Sequence, residues 1–325
     1  MSLAKDDLGD LVVLDADAVR ARLTFAAAIP VVREAMIALS DGRVRQQLRS
    51  FLPWGEGKTF AIMPAAMSDR GVFGAKLVSV FKRPDGAKAH EGVVLLFDPQ
   101  SGAPVCLADA GEVTAIRTAA ASAVATDALA RPDAAVLTLL GAGKQAAAHA
   151  QAIAQVRALR QIRVWARSDR QAQALAAQLA ATLGIEAHAA PMDVALAGAD
   201  IVCTVTAAVD PILSAAQVDP GTHVNVVGSS GPAQAEIAGD LVAAGRFIVD
   251  HREHVLAHGG EFLRAKAAGL VGDDNIAAEI GEVLAGARPG RTRADEITLY
   301  KSLGHAAQDL AAAAWLYRDA TGKTL

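Results

Sequence analysis

The stretch "LTLLGAGKQAAAHA", residues 137–150, decides the fold. Leu137, Thr138, Leu139 and Leu140 read as a buried strand, and an Ala-rich helical pattern begins after Gly143. Between them Gly141, Gly143 and Ala146 stand in the G-x-G-x-x-G/A spacing. The first glycine permits a tight turn, and the second lets a pyrophosphate approach the backbone. The third, small residue lets helix and strand pack closely, with the phosphate at the helix N-terminus. An Ala-rich chain produces this spacing by accident, so its strand–turn–helix setting carries the assignment, together with the βα units that follow. Lys144 and Gln145, inside the motif, join the cofactor-binding candidates.

The next strand bears on the kind of dinucleotide. An NAD site usually ends that strand with an acidic residue for the ribose hydroxyls. Here "VWARSDR" has Trp165 and Ala166 in that place, then Arg167, Ser168 and Arg170. Arginines and a hydroxyl suit a 2′-phosphate, which favours NADPH with NADH still open. The plainer reading of the same residues is a solvated basic loop.

From Ala134 onward the rhythm is strand, helix, strand, helix: "AVLTLL", "IRVWA", "ADIVCTVT", "HVNVVG" and "RFIVD" supply strands apolar on both faces. Such strands suit a parallel sheet covered by helices, a Rossmann-type α/β domain. "VNVVGSSGPAQAE", residues 224–236, ends one of them in a turn of very small residues, where parallel sheets place ligands. Thr204, Gly228 and Ser229 are cofactor-binding candidates on that ground, although a strand-favouring threonine needs no ligand to explain it.

Before Arg131 and Pro132 the pattern is mixed α+β. Residues 15–41 read as helical with an Asp15 cap, residues 47–106 as short strands, and residues 111–130 as a long Ala-rich helix. After about Asp295 come a short strand and a closing helix, within which Asp309 is expected to cap or pair. At 325 residues the chain is long enough for two domains.

Composition narrows the partners. Half the residues are apolar, 20% are charged and the net charge is −4, with no basic block for nucleic acid. The two cysteines, Cys106 and Cys203, are far apart and form no disulfide framework. No apolar run reads as a membrane span, and the acidic start "MSLAKDDLGDLVV" is unlike a signal peptide, so a cytoplasmic protein is expected. His251, His254 and His258 recur at helical spacing without a zinc signature and read as imidazoles on a solvated helix, so no metal is expected. His90 is a secondary candidate for proton delivery.

Three cations in the first third sit oddly. Arg117 is the one charge between Glu112 and Asp127, Lys76 lies within "VFGAKLVSVF", and Arg49 precedes the strand in "LRSFLPW". A buried cation wants an anion. Each alone reads as a snorkelling or paired structural residue; together they read as a clamp for a small carboxylate.

These segments together resemble the ornithine cyclodeaminase/μ-crystallin family. The resemblance runs through "FAIMPA", "GAKLVSVF", "LLFDPQSGAP", "EVTAIRTAAASAVAT", "LLGAGKQA", "VNVVGSSGPAQAEI" and "EITLYKSLGHAAQDLAAA". It implies a homodimer, with residues 1–120 and 300–325 as the substrate-binding and dimerisation domain and 121–299 as the Rossmann domain. It also puts Arg49, Lys76 and Arg117 on the family's substrate-carboxylate positions. The family holds cyclodeaminases, ketimine and cyclic-imine reductases, amino-acid dehydrogenases, and crystallins that bind NADPH.

Two departures discriminate among these. The cyclodeaminases keep an acid where this chain has Ala61 in "AIMP", and an Asp where it has Ser230. Deamination with ring closure needs groups that take and give protons around a diamine, and neither residue does so well. Imine reduction asks for less: a fixed carboxylate, a carbon set against nicotinamide, and a protonated or hydrogen-bonded nitrogen. The expectation is therefore an NADPH-preferring reductase of a small cyclic ketimine carboxylate, giving L-proline or L-pipecolate. Lys76 and Ser230 are its catalytic candidates. An alanine or other amino-acid dehydrogenase, an ornithine cyclodeaminase and a non-catalytic NADPH- and ligand-binding crystallin-like protein are the alternatives.

Overall fold

The computed structural model describes residues 11–82 and 88–325, and describes no side chain at 82 or at 88–90. Residues 1–10 of the N-terminal stretch and the His90 side chain invoked above lie outside the described residues. The chain divides into two compact units, Met1–Arg117 with His305–Leu325, and Thr118–Gly304.

The first unit opens with β1 (Val12–Leu14), α1 (Ala16–Arg22), α2 (Phe25–Ser40) and β2 (Val44–Gln46). The one helix expected over 15–41 is two. Thr24 leaves the helical conformation and caps α2, accepting a hydrogen bond from the Ala27 amide at 3.3 Å. Asp15 caps α1 as expected. Then come β3 (Ser50–Gly55), β4 (Lys58–Met67), β5 (Val72–Lys82), β6 (Lys88–Phe97) and β7 (Pro104–Asp109). They form a seven-stranded sheet in the order β1-β7-β6-β5-β4-β2, with β3 also on β4. All its pairs are antiparallel except β1 with β7. The helix α3 (Ala110–Leu129) follows and runs through the cut at Arg117.

One face of this sheet is buried and the other is not. Ala61, Met63, Ala65 and Met67 on β4 are buried while Ile62, Pro64 and Ala66 between them are half-exposed, the period-2 signature of a one-sided sheet. The buried face is covered by the closing helix, which lies over β4 to β7 and against α2. Each of the larger apolar side chains buried there, such as Met63 and Met67, contributes roughly 1.5–3 kcal/mol.

The second unit contains β8 (Val136–Leu140), α4 (Lys144–Ile153), β9 (Gln161–Trp165), α5 (Asp169–Leu183), β10 (Glu186–Ala189) and α6 (Met192–Leu196). It continues with β11 (Ile201–Thr204), β12 (His223–Val226), α7 (Gly239–Ala244), β13 (Arg246–Val249), α8 (Arg252–His258) and α9 (Gly260–Ala267). It ends with β14 (Ile276–Glu279), α10 (Ile280–Leu284) and β15 (Thr298–Lys301), after which α11 (Ala306–Thr321) closes the first unit. The sheet is eight-stranded and wholly parallel, ordered β10-β9-β8-β11-β12-β15-β13-β14. The α/β reading is thus correct, and β10 and β14 are strands the pattern alone did not show. The helix α4 stops at Ile153, where the Gln155 and Val156 amides bond back three residues instead of four.

Candidate active site

In the parallel sheet the strands β8, β9 and β10 progress one way and β11 and β12 the other, so the order reverses between β8 and β11. That reversal is where doubly wound sheets bind dinucleotides. Leu140, Thr204, Val226 and Lys301 lie in register at the C-terminal strand ends, so the turns after β8, β11 and β12 are neighbours.

The turn after β8 keeps its backbone open at the start of α4. Gly141 has φ 127° and its amide donates to the Trp165 carbonyl at 2.8 Å. A Cβ there would sit 2.8 Å from the Val205 carbonyl oxygen. At Gly143, by contrast, a Cβ would meet nothing within 4 Å, so the missing side chain leaves open room beside the backbone. Gly143 is the N-cap of α4 and no side chain caps the helix, which leaves the first-turn amides of Gln145 and Ala146 to an external acceptor. Ala146 is buried against the strands, as the third small position requires.

After β9, Ser168 caps α5 by accepting from the Gln171 amide at 3.4 Å. Arg167 and Arg170 are exposed and have no ion pair among the described residues. A cation left without an anion at this strand end fits a 2′-phosphate.

The turn after β12 is held from below by two buried glutamates. Glu236 accepts from the Thr204 hydroxyl at 2.8 Å, the Gly228 amide at 2.5 Å, and the Thr206 amide and hydroxyl, both at 2.7 Å. Burial pushes its carboxyl above the usual range against those donors. Lys301, fully buried, donates to the Ser229 carbonyl at 2.7 Å and hydroxyl at 2.6 Å and lies 2.9 Å from Glu261 Oε2. Ser229 donates to Glu261 Oε1, which also accepts from the Glu236 amide at 3.0 Å.

These bonds show where two of the expected cofactor-binding side chains are engaged. The hydroxyls of Thr204 and Ser229 are turned inward and spent on carboxylates, because a buried glutamate left without donors is costly. They therefore brace the turn and present no hydroxyl to solvent. Ser230, one residue on, is exposed. Gly228 is required sterically, since a Cβ would lie 2.1 Å from the Thr206 carbonyl oxygen.

The first unit brings Lys76 and Arg117 together. Lys76 points to the buried face of β5, opposite Met63 and Val94, and Ala61 shares that face one pair along. Its ammonium donates to the Thr114 hydroxyl at 2.5 Å and to Asp309 Oδ1 at 3.1 Å. Arg117 Nε donates to the same oxygen at 2.9 Å, and its Nη1 to Gln308 Oε1 at 2.8 Å. Arg49, half-buried in the loop before β3, is close enough to act on Lys76. Burial lowers Lys76 to about 8, with Arg117 and Arg49 pushing the same way and Asp309 opposing. Burial works against the Asp309 carboxylate too, but Arg117 and Lys76 outweigh it and hold it below the usual range.

Asp309 is the residue that sequence reasoning placed wrongly. It neither caps α11 nor pairs within it, but joins the two cations from other elements. The available signal was an adjacent amide and acid, Gln308 and Asp309, in the otherwise apolar first half of the helix. The histidine reading also changes. His251 precedes α8, His254 is buried and its ring meets that of His251 edge-on at 5.1 Å, so this helix face is packed, not solvated. Among the described residues, no group of three or more His, Cys, Asp or Glu is arranged to hold a metal ion. Both cysteines are buried and free, and no single helix among the described residues is long and apolar enough to cross a membrane.

The chain is 35% identical to the ketimine reductase mu-crystallin of Mus musculus over 295 residues, covering 89% of this chain and 90% of that protein. It is 32% identical to the Δ1-pyrroline-2-carboxylate reductase of Bacillus cereus over 315 residues, 95% of this chain and 97% of that one. The solved Thermococcus litoralis Δ1-pyrroline-2-carboxylate reductase, in complex with NADH and L-proline, matches with a TM-score of 0.91 at 30% identity, covering 96% and 98% of the two chains. The ornithine cyclodeaminase/mu-crystallin family model matches residues 10–324. The chain belongs to the ornithine cyclodeaminase/mu-crystallin family.

Proposed function

We propose that this chain, an NAD(P)H-dependent oxidoreductase acting on C=N bonds, reduces a small cyclic ketimine carboxylate. The substrate is Δ1-pyrroline-2-carboxylate, Δ1-piperideine-2-carboxylate or both, and the product L-proline or L-pipecolate. The observation that carries this reading is the charge count of the clamp. Two buried cations, Lys76 and Arg117, share one buried carboxylate oxygen, with Arg49 half-buried beside them. Uncompensated buried charge is costly, and a substrate carboxylate is the group that relieves it.

The reduced nicotinamide supplies a hydride to the imine carbon when bound. Gly141, Gly143, Lys144 and the first-turn amides of Gln145 and Ala146 would hold the pyrophosphate, and the turn bearing Gly228 and Ser229 would flank the nicotinamide side. Arg167, Ser168 and Arg170 favour NADPH over NADH by receiving the 2′-phosphate. In the clamp Arg49, Lys76 and Arg117 fix the substrate carboxylate. Lys76, titrating at about 8, is protonated at neutral pH and able to hold a proton near the imine nitrogen. Ser230, exposed at the tip of its turn, orients a water or the nitrogen. The buried Ala61 offers nothing to a distal amine, which argues against a diamine substrate.

The same reading includes a homodimer. The uncovered face of the antiparallel sheet presents Val13, Leu52 and Phe73 exposed, with Phe60, Ile62, Leu77, Leu95 and Leu107 half-buried between them. A continuous apolar sheet face of this kind fits a second copy of the chain.

The test follows oxidation of NADPH and of NADH with each cyclic imine, and with pyruvate plus ammonia. Rapid oxidation by a cyclic imine, faster with NADPH, is expected. Failure of both imines to oxidise either cofactor removes the proposal.

A further inference from the structure

We infer that Asp309 is a positioning residue of the clamp: from the first turn of α11 its carboxylate holds the Lys76 ammonium and the Arg117 guanidinium side by side and keeps both charged, without touching the substrate. The inference rests on the carboxylate-clamp reading above and assigns a role that the motif positions do not include.

The geometry separates Asp309 from its partners. The side chains of Lys76 and Arg117 keep 6% and 5% of their surface open, while that of Asp309 keeps 0%. A ligand therefore reaches the two cations and not the carboxylate behind them. Asp309 Oδ1 receives both Lys76 Nζ and Arg117 Nε, so one atom sets their separation. Thr114 takes a second Lys76 hydrogen, and its own hydroxyl hydrogen goes to the Ala110 carbonyl at 2.5 Å, which fixes it as an acceptor. Gln308 takes Arg117 Nη1, and its amide nitrogen lies 2.9 Å from the Met36 sulfur. One ammonium hydrogen and the Arg117 Nη2 edge are left over, which is the donor pair a carboxylate needs. Asp309 Oδ2 is buried without a hydrogen-bond partner. The carboxylate thus spends its whole hydrogen bonding on the two cations.

The charged groups facing Lys76 are Asp309 from α11, Arg117 from α3, and Arg49 from the loop before β3. Its cross-strand neighbours on β4 and β6, Met63 and Val94, are apolar, and His305 at the start of α11 bonds to Gln46 at 2.8 Å. Of these charges Asp309 alone favours the ammonium. An opposite charge at this range moves a titration by about 1–3 pH units. Removing it therefore lowers the fraction of Lys76 that is charged at neutral pH.

The full-length protein labelled with 13C at lysine Cε gives the readout, the Lys76 resonance being the one lost in Lys76→Arg. Its midpoint is expected at about 8 in the wild type, and about 1–3 pH units lower in Asp309→Asn. The alkaline limb of kcat/KM for the imine moves down with it, so that near roughly pH 7.5 activity drops about threefold for a one-unit shift and on the order of 100-fold for a shift of two to three units. Arg117→Gln gives an opposite arm: Asp309 then serves Lys76 alone, and the midpoint rises. A folded Asp309→Asn protein whose Lys76 titrates as in the wild type overturns the inference. So does an Arg117→Gln protein with an unchanged midpoint, which is the deciding arm if Asp309→Asn does not fold. The titration needs no turnover, so a chain inactive on cyclic imines still reports on Asp309, and the two failures are distinct.

Discussion

Replacing Lys76 with Met is expected to make the protein more stable and less active at once. Lys76 titrates at about 8 in the folded chain, against 10.5 for a free lysine, so holding it charged at neutral pH costs folding about 3 kcal/mol. Methionine matches its length without the charge. Thr114 keeps its bond to the Ala110 carbonyl and Asp309 keeps Arg117, so the substitution orphans neither. A gain of about 1–3 kcal/mol is expected after side-chain repacking. The pH dependence fixes the cause. A lysine with a depressed folded pKa is protonated in the unfolded chain but not in the folded one between about 8 and 10.5. Wild-type stability therefore carries the full cost below that window and regains it as pH rises through it. Urea denaturation of both proteins at neutral pH and near the top of that window measures the gap, which should be wide at the first and nearly closed at the second. The KM for the imine should rise about 10- to 100-fold from loss of one charge-assisted hydrogen bond, with NADPH affinity unchanged. A variant less stable than the wild type at neutral pH, or a gap that ignores pH, refutes the account and makes Lys76 an ordinary structural ion-pair partner.

Four other variants address other parts of the molecule. Arg167→Asp should shift the NADPH-to-NADH ratio of kcat/KM toward NADH by about tenfold or more, and an unmoved ratio returns this arginine to the solvated surface. Leu52→Asp combined with Phe73→Asp should yield a monomer by light scattering, whereas an unaltered oligomer means that another face pairs the chains. Ser229→Ala takes one acceptor from the buried Lys301 and should cost about 1–3 kcal/mol in denaturation. Ser230→Ala, exposed, should stay within about 0.5 kcal/mol of the wild type. Equal losses at the two serines would contradict the inward and outward assignments.

What the sequence by itself determined was local. The Gly141, Gly143 and Ala146 spacing, the apolar strands of the parallel sheet and the Asp15 cap each depend on residues within a turn or two, so their physics is visible in order along the chain. Short edge strands such as β10 and β14 were invisible because pairing, not propensity, makes them strands. The three cations could be suspected from their apolar surroundings alone, since a charge in such a place needs an anion.

Which anion answers them was a tertiary matter. Asp309 lies 233 residues from Lys76 and 192 from Arg117, and only the packing of α11 on the sheet brings them within hydrogen-bonding range. The same holds for the serines of "GSSG": the turn conformation sends Ser229 to Lys301 and Glu261 and leaves Ser230 in solvent. Periodicity records which face a residue occupies within its own element. It carries no record of the charge that a distant element sets opposite, because the Coulomb and desolvation energies that select that partner depend on separation in space and not along the chain.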